Sequence, residues 1–159
     1  MFAKSWFLTC QKLVCQSFFQ TRSKETATHY ITNPGNGAYC YNVSEKKWKN
    51  YLHDENNPKS LPYDKVLSIF EDSHRQIWLT TQGGGFCRFQ PDTETFANYN
   101  LSAGLPNDVV YQIVEDKEGF LWLTTNNGLV CFQPTTGMMK VYTTSNGSRN
   151  VQDASCRWS

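Results

Sequence analysis

Two adjacent acid pairs, Glu71-Asp72 and Glu115-Asp116, carry the most obvious chemistry in this 159-residue chain. Paired carboxylates can share general acid and general base work when they converge on one pocket. Both pairs stand at the same place in two similar stretches, each just before a turn, where Asp is favoured for hydrogen bonding its own backbone. A catalytic pair is expected once, in a converging site. The turn role is therefore preferred, and no catalytic residue is assigned. Six cysteines invite a disulfide or metal reading. No C-x-x-C pair and no Cys/His ladder of zinc spacing occurs, so neither a metal nor another cofactor is expected. Cys40 and Cys131 each lie three residues after a glycine and one before an aromatic, whereas Cys87 sits one place earlier and so on the opposite face of its strand. They read as small, half-buried apolar side chains. His29, His53 and His74 fall in or beside turn-like segments and read as solvated.

The stretches that hold the acid pairs are copies of each other. Leu61-Pro62-Tyr63-Asp64 leads through Val66 and Ile69 to Glu71-Asp72 and then Ile77-Trp78-Leu79-Thr80-Thr81. Forty-four residues later, Leu105-Pro106-Asn107-Asp108 leads through Val110 and Ile113 to Glu115-Asp116 and Leu121-Trp122-Leu123-Thr124-Thr125. The turn Gln82-Gly83-Gly84-Gly85 is one residue longer than Asn126-Asn127-Gly128, so Phe89-Gln90-Pro91 and Tyr99 recur at a spacing of 43, as Phe132-Gln133-Pro134 and Tyr142. A damaged earlier copy places Tyr30-Ile31-Thr32, Gly37, Tyr41, Trp48 and Tyr51 at a spacing of 48 from their counterparts. The innermost strand of that copy, ahead of Tyr30, is not recognisable.

Each copy reads as four short strands. In the later one these are Val109–Val114, Phe120–Thr125, Leu129–Phe132 and Met138–Tyr142, joined by Asp116-Lys117-Glu118-Gly119, an Asn-Gly hairpin turn at 126–128 and Pro134-Thr135-Thr136-Gly137. No segment sustains a 3.6-residue stripe, which excludes a helical solenoid. Four antiparallel strands in about 44 residues make the blade of a β-propeller. Blades are apolar on both faces, so Trp78 and Trp122 are expected between neighbouring blades. Arg75 replaces the glycine of Gly119; in a left-handed backbone it costs about 1 kcal/mol relative to Gly.

The fold class is thus all-β, with an incomplete propeller of about two blades plus part of a third. Residues 1–28 form an unmatched segment, helical or disordered, followed by a degenerate partial blade at 29–60, blades at 61–104 and 105–147, and an unmatched tail at 148–159. In the first segment Phe7, Val14 and Phe18 would share one side of a short amphipathic helix. Gln11, Lys12 and Gln16 break the apolar stretch that an export signal requires. Fifteen basic residues against fourteen acidic ones supply no stripe for a phosphate backbone, so no nucleic acid is expected as partner. No apolar run reaches the roughly 18–20 residues that span a bilayer.

At the repeat, Asp108-x-Val-x-x-Ile-x-Glu-Asp-x-x-Gly-x-Leu-Trp-Leu-x-Thr followed by Gly128-Leu and Phe132-x-Pro-x-Thr resembles the two-component regulator propeller repeat. Asp64 to Thr93 fits the same pattern except at Arg75, and the resemblance covers roughly residues 30–147. It implies the extracytoplasmic, periplasmic sensory region of a hybrid sensor histidine kinase, reporting on oligosaccharides. Nothing in the chain resembles the kinase core. A closed propeller needs at least about four blades, so a fragment or truncated product is expected, partnered by the remaining blades or by other copies of the chain. Propellers bind ligands on the loops that enter each innermost strand and those between the second and third strands. Here these hold Tyr63, Asp64, Asn107 and Asp108, with Gln82, Asn126 and Asn127. Amides, carboxylates and a Tyr ring suit sugar hydroxyls and a flat apolar ring face. Asp64 and Asp108 recur, so an Asx-turn role explains them equally well, and Asn126-Asn127 also suits a hairpin. Tyr63 and Gln82 differ between copies and are the better specificity candidates. Two other classes stay open: a structural or protein-interaction segment, and part of a propeller enzyme acting on glycans.

Overall fold

The computed structural model describes residues 20–22, 28–32 and 35–143. The amphipathic helix, Cys10, Cys15, Cys156 and the tail at 148–159 lie outside the described residues. Three four-stranded antiparallel meanders follow one another along the chain. The first contains β1 (Gln20–Arg22), β2 (Thr28–Thr32), β3 (Ala38–Asn42) and β4 (Lys47–Tyr51). The second contains β5 (Val66–Glu71), β6 (Ile77–Thr81), β7 (Phe86–Gln90) and β8 (Thr95–Tyr99). The third contains β9 (Val110–Glu115), β10 (Leu121–Thr125), β11 (Gly128–Phe132) and β12 (Met139–Tyr142). The first strands of neighbouring sheets lie against each other, β1 and β2 on β5 and β5 on β9, so the sheets fan out as propeller blades do.

The missing inner strand of the earliest copy is β1, which pairs Gln20 to Ile31 and Arg22 to His29. It lies inside the segment expected to be helical or disordered, and that expectation is corrected for residues 20–22. Gln20-Thr21-Arg22 is three residues long and has no aliphatic side chain, so no alternation betrays it.

Successive side chains of the second blade alternate between its two faces. Ile69, Ile77, Leu79, Cys87, Phe89 and Phe96 face the first blade and enclose its Tyr30 and Ala38, with Cys40 and Tyr51 packed against them. Phe70, Trp78, Phe86 and Tyr99 point the other way, onto Val110, Ile113, Leu121, Leu123, Val130 and Phe132 of the third blade. Aromatic edges fill this second junction: the Trp78 and Phe132 rings are 5.5 Å apart at 76°, and Phe86 stacks on Tyr99 at 4.9 Å. Strand β9, apolar on both sides, is buried on only one: Val110 and Ile113 are covered while Val114 is exposed.

Register puts Cys87 beside Leu79 and Cys131 beside Trp122, on opposite blade faces as the glycine spacing implies. Cys40 and Cys87 are free thiols in the first junction. Burial raises both above the ordinary thiol value. Cys131 departs from the small-hydrophobe reading, since it is disulfide-bonded.

One glycine position recurs for a steric reason. A Cβ on Gly37, Gly85 or Gly128 would stand 2.1, 2.1 or 2.3 Å from the carbonyl oxygen of Tyr51, Tyr99 or Tyr142. Each also has positive φ. In the third blade this changes the expected turn: Asn126 and Asn127 are absent from the left-handed region, and Gly128 at φ 105° takes it instead. Among the described residues no helix is long and apolar enough to cross a membrane.

Candidate ligand-binding face

The acid pairs resolve into turn architecture. Asp72 Oδ1 accepts from the backbone N–H of His74 and Gln76 at 2.9 and 2.8 Å, while Oδ2 accepts from Trp78 Nε1 at 2.8 Å. Asp116 repeats this with Glu118, Phe120 and Trp122 at 3.0, 3.0 and 2.7 Å. Each Asp thus closes its turn and anchors the tryptophan of the following strand. Glu115 reaches back one blade, where its carboxylate accepts from Ser73 N and Oγ at 2.8 and 2.6 Å. That clamp between blades was not expected, because nothing in the spacing links 73 to 115. The two pairs stand where β5 and β9 run into their following turns, Glu71 and Glu115 as last strand residues, and no group of three or more metal-binding side chains occurs among the described residues.

At the opposite end of the blades the expected loops come together. Asp108 works with both its backbone and its side chain. Its carbonyl accepts from Gly83 N and Gly85 N of the preceding blade at 3.1 and 2.8 Å, and its Oδ1 accepts from Leu101 N at 2.8 Å. Asp64 does the same one blade earlier, through Gly37 N at 2.8 Å and His53 N at 2.7 Å. Asn107 Oδ1 closes an Asx turn on Val109 N at 2.8 Å. Asp64 and Asp108, which recur, form the latch between consecutive blades, while Asn107, which stands where the second blade has Tyr63, closes only its own turn. His53, expected to be merely solvated, also directs Nδ1 at the Leu61 carbonyl, 2.8 Å away.

The residues that differ between copies sit on top of that latch. Tyr63 is 44% exposed. Its ring lies over Gly83, where a Cβ would come within 3.3 Å of Cζ. Gln82 bridges Val109 through its backbone and leaves its side chain exposed. Asn126 and Asn127 are exposed at the tip of the β10–β11 hairpin.

A further residue joins them. Strand β9 has a register shift between its partners Thr124 and Thr125, which leaves Tyr111 unpaired as a β-bulge. The bulge turns the Tyr111 ring to the loop end, 49% exposed, with its hydroxyl donating to Asn126 Oδ1. Sequence reasoning passed over Tyr111 because it falls within a strand. The available signal was its difference from Leu67, which occupies the same bulge in the second blade.

Residues 104–127 match the family model of the two component regulator propeller. The resemblance read from the repeat is met there. The chain is similar in structure to the extracellular domain of a hybrid two component system from B. thetaiotaomicron, with TM-score 0.71, 20% identity, and coverage of 84% of this chain and 20% of that one. A one component system's extracellular domain from the same organism gives TM-score 0.63 and 21% identity, covering 79% and 18%. Virginiamycin B lyase from Staphylococcus aureus gives 0.61 and 23%, covering 79% and 40%. No curated protein matches the chain. At these identities the likeness establishes the fold, β-propeller blades, and the chain spans about a fifth of the length of the first two neighbours.

Proposed function

We propose that this chain supplies blades to an extracytoplasmic sensory propeller of a two-component system, and that its loop end binds an oligosaccharide. One observation carries the reading. The repeated Asp64 and Asp108 are consumed by the latch and Asn107 by its own Asx turn, whereas Tyr63, Gln82, Tyr111, Asn126 and Asn127 present rings and amides to solvent. Two partly exposed tyrosines offer flat apolar faces, and the amides offer donors and acceptors, which is what a hydroxylated ring requires. The family match at 104–127 and the extracellular two-component neighbours support a sensor role over catalysis. A propeller also serves a lyase, so the argument rests on the loop end and not on the fold.

The test is binding of the full chain to an array of neutral and charged oligosaccharides. The reading predicts retention of a defined sugar class, weakened about tenfold or more by Tyr63→Ala and by Tyr111→Ala with melting unchanged within a few degrees. Failure to retain any sugar, or equal retention by both variants, would sink it.

A further inference from the structure

At the other end of the second blade, beside the turns after β5 and β7, lies a concavity of about 370 Å³. Arg75, Gln76, Arg88, Gln90 and Asp92 line it together with Pro91 and the buried Phe89. Its volume falls in the range of small-molecule sites. Repeat alignment shows how unusual the polar lining is. The third blade has Gly119, Phe120 and Cys131 where the second has Arg75, Gln76 and Arg88. Three departures from the repeat therefore converge on one hollow.

Arg75 holds φ 64° where its counterpart Gly119 holds 84°, a left-handed backbone in which a side chain is strained. Strain retained at a cavity wall is a pointer to function. Arg88 is held in place: its guanidinium carbon lies 5.9 Å from the Trp78 ring centroid and Nη1 donates to Gln76 Oε1 at 2.7 Å. Among the described residues it forms no ion pair, so its charge is met by a neutral amide and an aromatic face. Arg75 pairs with the largely buried Glu71, its Nη1 3.6 Å from an Oε1 that has no hydrogen-bond partner, so the guanidinium is held at the mouth of the hollow.

We propose that this hollow is an anion subsite for a carboxylate or sulfate group carried on a molecule of about monosaccharide size. A planar guanidinium fork recognises either oxyanion bidentately, and Pro91 offers an apolar surface to the ring. The site is independent of the loop-end reading, since the two lie at opposite ends of the blade.

The experiment is an NMR titration of the full chain with D-glucuronate, D-glucose 6-sulfate and D-glucose. Glucuronate, the sulfate ester or both bind, and glucose does not; which of the two charged rings binds identifies the oxyanion. Arg75→Gly and Arg88→Lys each weaken binding about tenfold, the effect of losing one charge-assisted contact. Arg75→Gly also melts at or above the wild-type temperature, so its loss of binding is not loss of fold, and it suffices alone where Arg88→Lys disturbs Trp78. The proposal is overturned when neither charged ring binds more tightly than glucose, or when Arg75→Gly binds as tightly as wild type.

Discussion

Trp78 and Trp122 occupy one repeat position and bond the same partner, an Asp six residues back, yet they differ in what lies beyond their rings. Trp78 is 0% exposed, closed in by the third blade. Trp122 is only half-buried, stacked on Tyr142 at 5.7 Å, and its neighbour Val114 is 54% exposed. The first blade shows the mirror case: Tyr30 is buried against the second blade while Trp48, on the other face, is 57% exposed. A blade is thus a two-sided object whose faces are alike in sequence and become core only when another blade arrives. This teaches where the folding free energy resides, namely in the junctions.

The largest effect expected from that difference is on stability. Trp78→Ala should cost about 3–5 kcal/mol, the range for a fully buried aromatic. Trp122→Ala should cost about 1–2 kcal/mol, because much of its ring already meets solvent. Urea unfolding of the two variants measures both, and equal losses would break the comparison. Next come the anchoring acids. Asp72→Ala removes a buried acceptor and leaves three donors unpaired, and should cost about 2–3 kcal/mol, while Asp116→Ala, at a half-buried acceptor, should cost about 1–2 kcal/mol.

The two junctions should also differ towards base. Tyr30, in the first, is pushed up to about 12 by burial, with Cys40 and Glu71 adding repulsion. The unfolded phenol ionises near 10. A folded pKa above the unfolded one means that the stability is complete below about pH 10 and is lost as pH rises through about 12. Tyr51 is raised in the same direction by burial and by Glu94. Melting against pH should therefore fall across this window, and Tyr30→Phe should flatten part of the fall. The smallest effect concerns the turns themselves: Arg75→Gly should stabilise by about 0.5–1 kcal/mol and Gly119→Ala should cost about 1 kcal/mol, read from melting temperatures.

The blades were legible because the Trp, Asp and Gly positions recur with their physical causes: a ring to bury, a turn to close, a carbonyl pressed against Cα. The inner strand at Gln20–Arg22 was hidden since three polar residues carry no period. The loop end was legible as a place but not as a set of roles. Asp108 looked like a ligand contact and is a latch component, and Asn107 closes an Asx turn, a difference that lies in which backbone N–H each oxygen meets. Tyr111 was hidden by a bulge, which alters the direction of a side chain without altering the pattern of the strand. The Glu115–Ser73 clamp joins residues 42 apart through the packing of two blades, which local sequence does not encode.

The division between repeated residues that hold the blades and unrepeated residues that meet the ligand can be tested in one experiment. Melting temperature and oligosaccharide binding are measured together for Asp108→Ala and Tyr111→Ala. The account predicts that Asp108→Ala, which removes the Oδ1 acceptor of Leu101 N and keeps the backbone bonds, lowers the melting temperature by several degrees, and that Tyr111→Ala melts like wild type but loses the sugar. A Tyr111→Ala chain that binds the sugar as wild type does, beside an Asp108→Ala chain of unchanged stability, would contradict it.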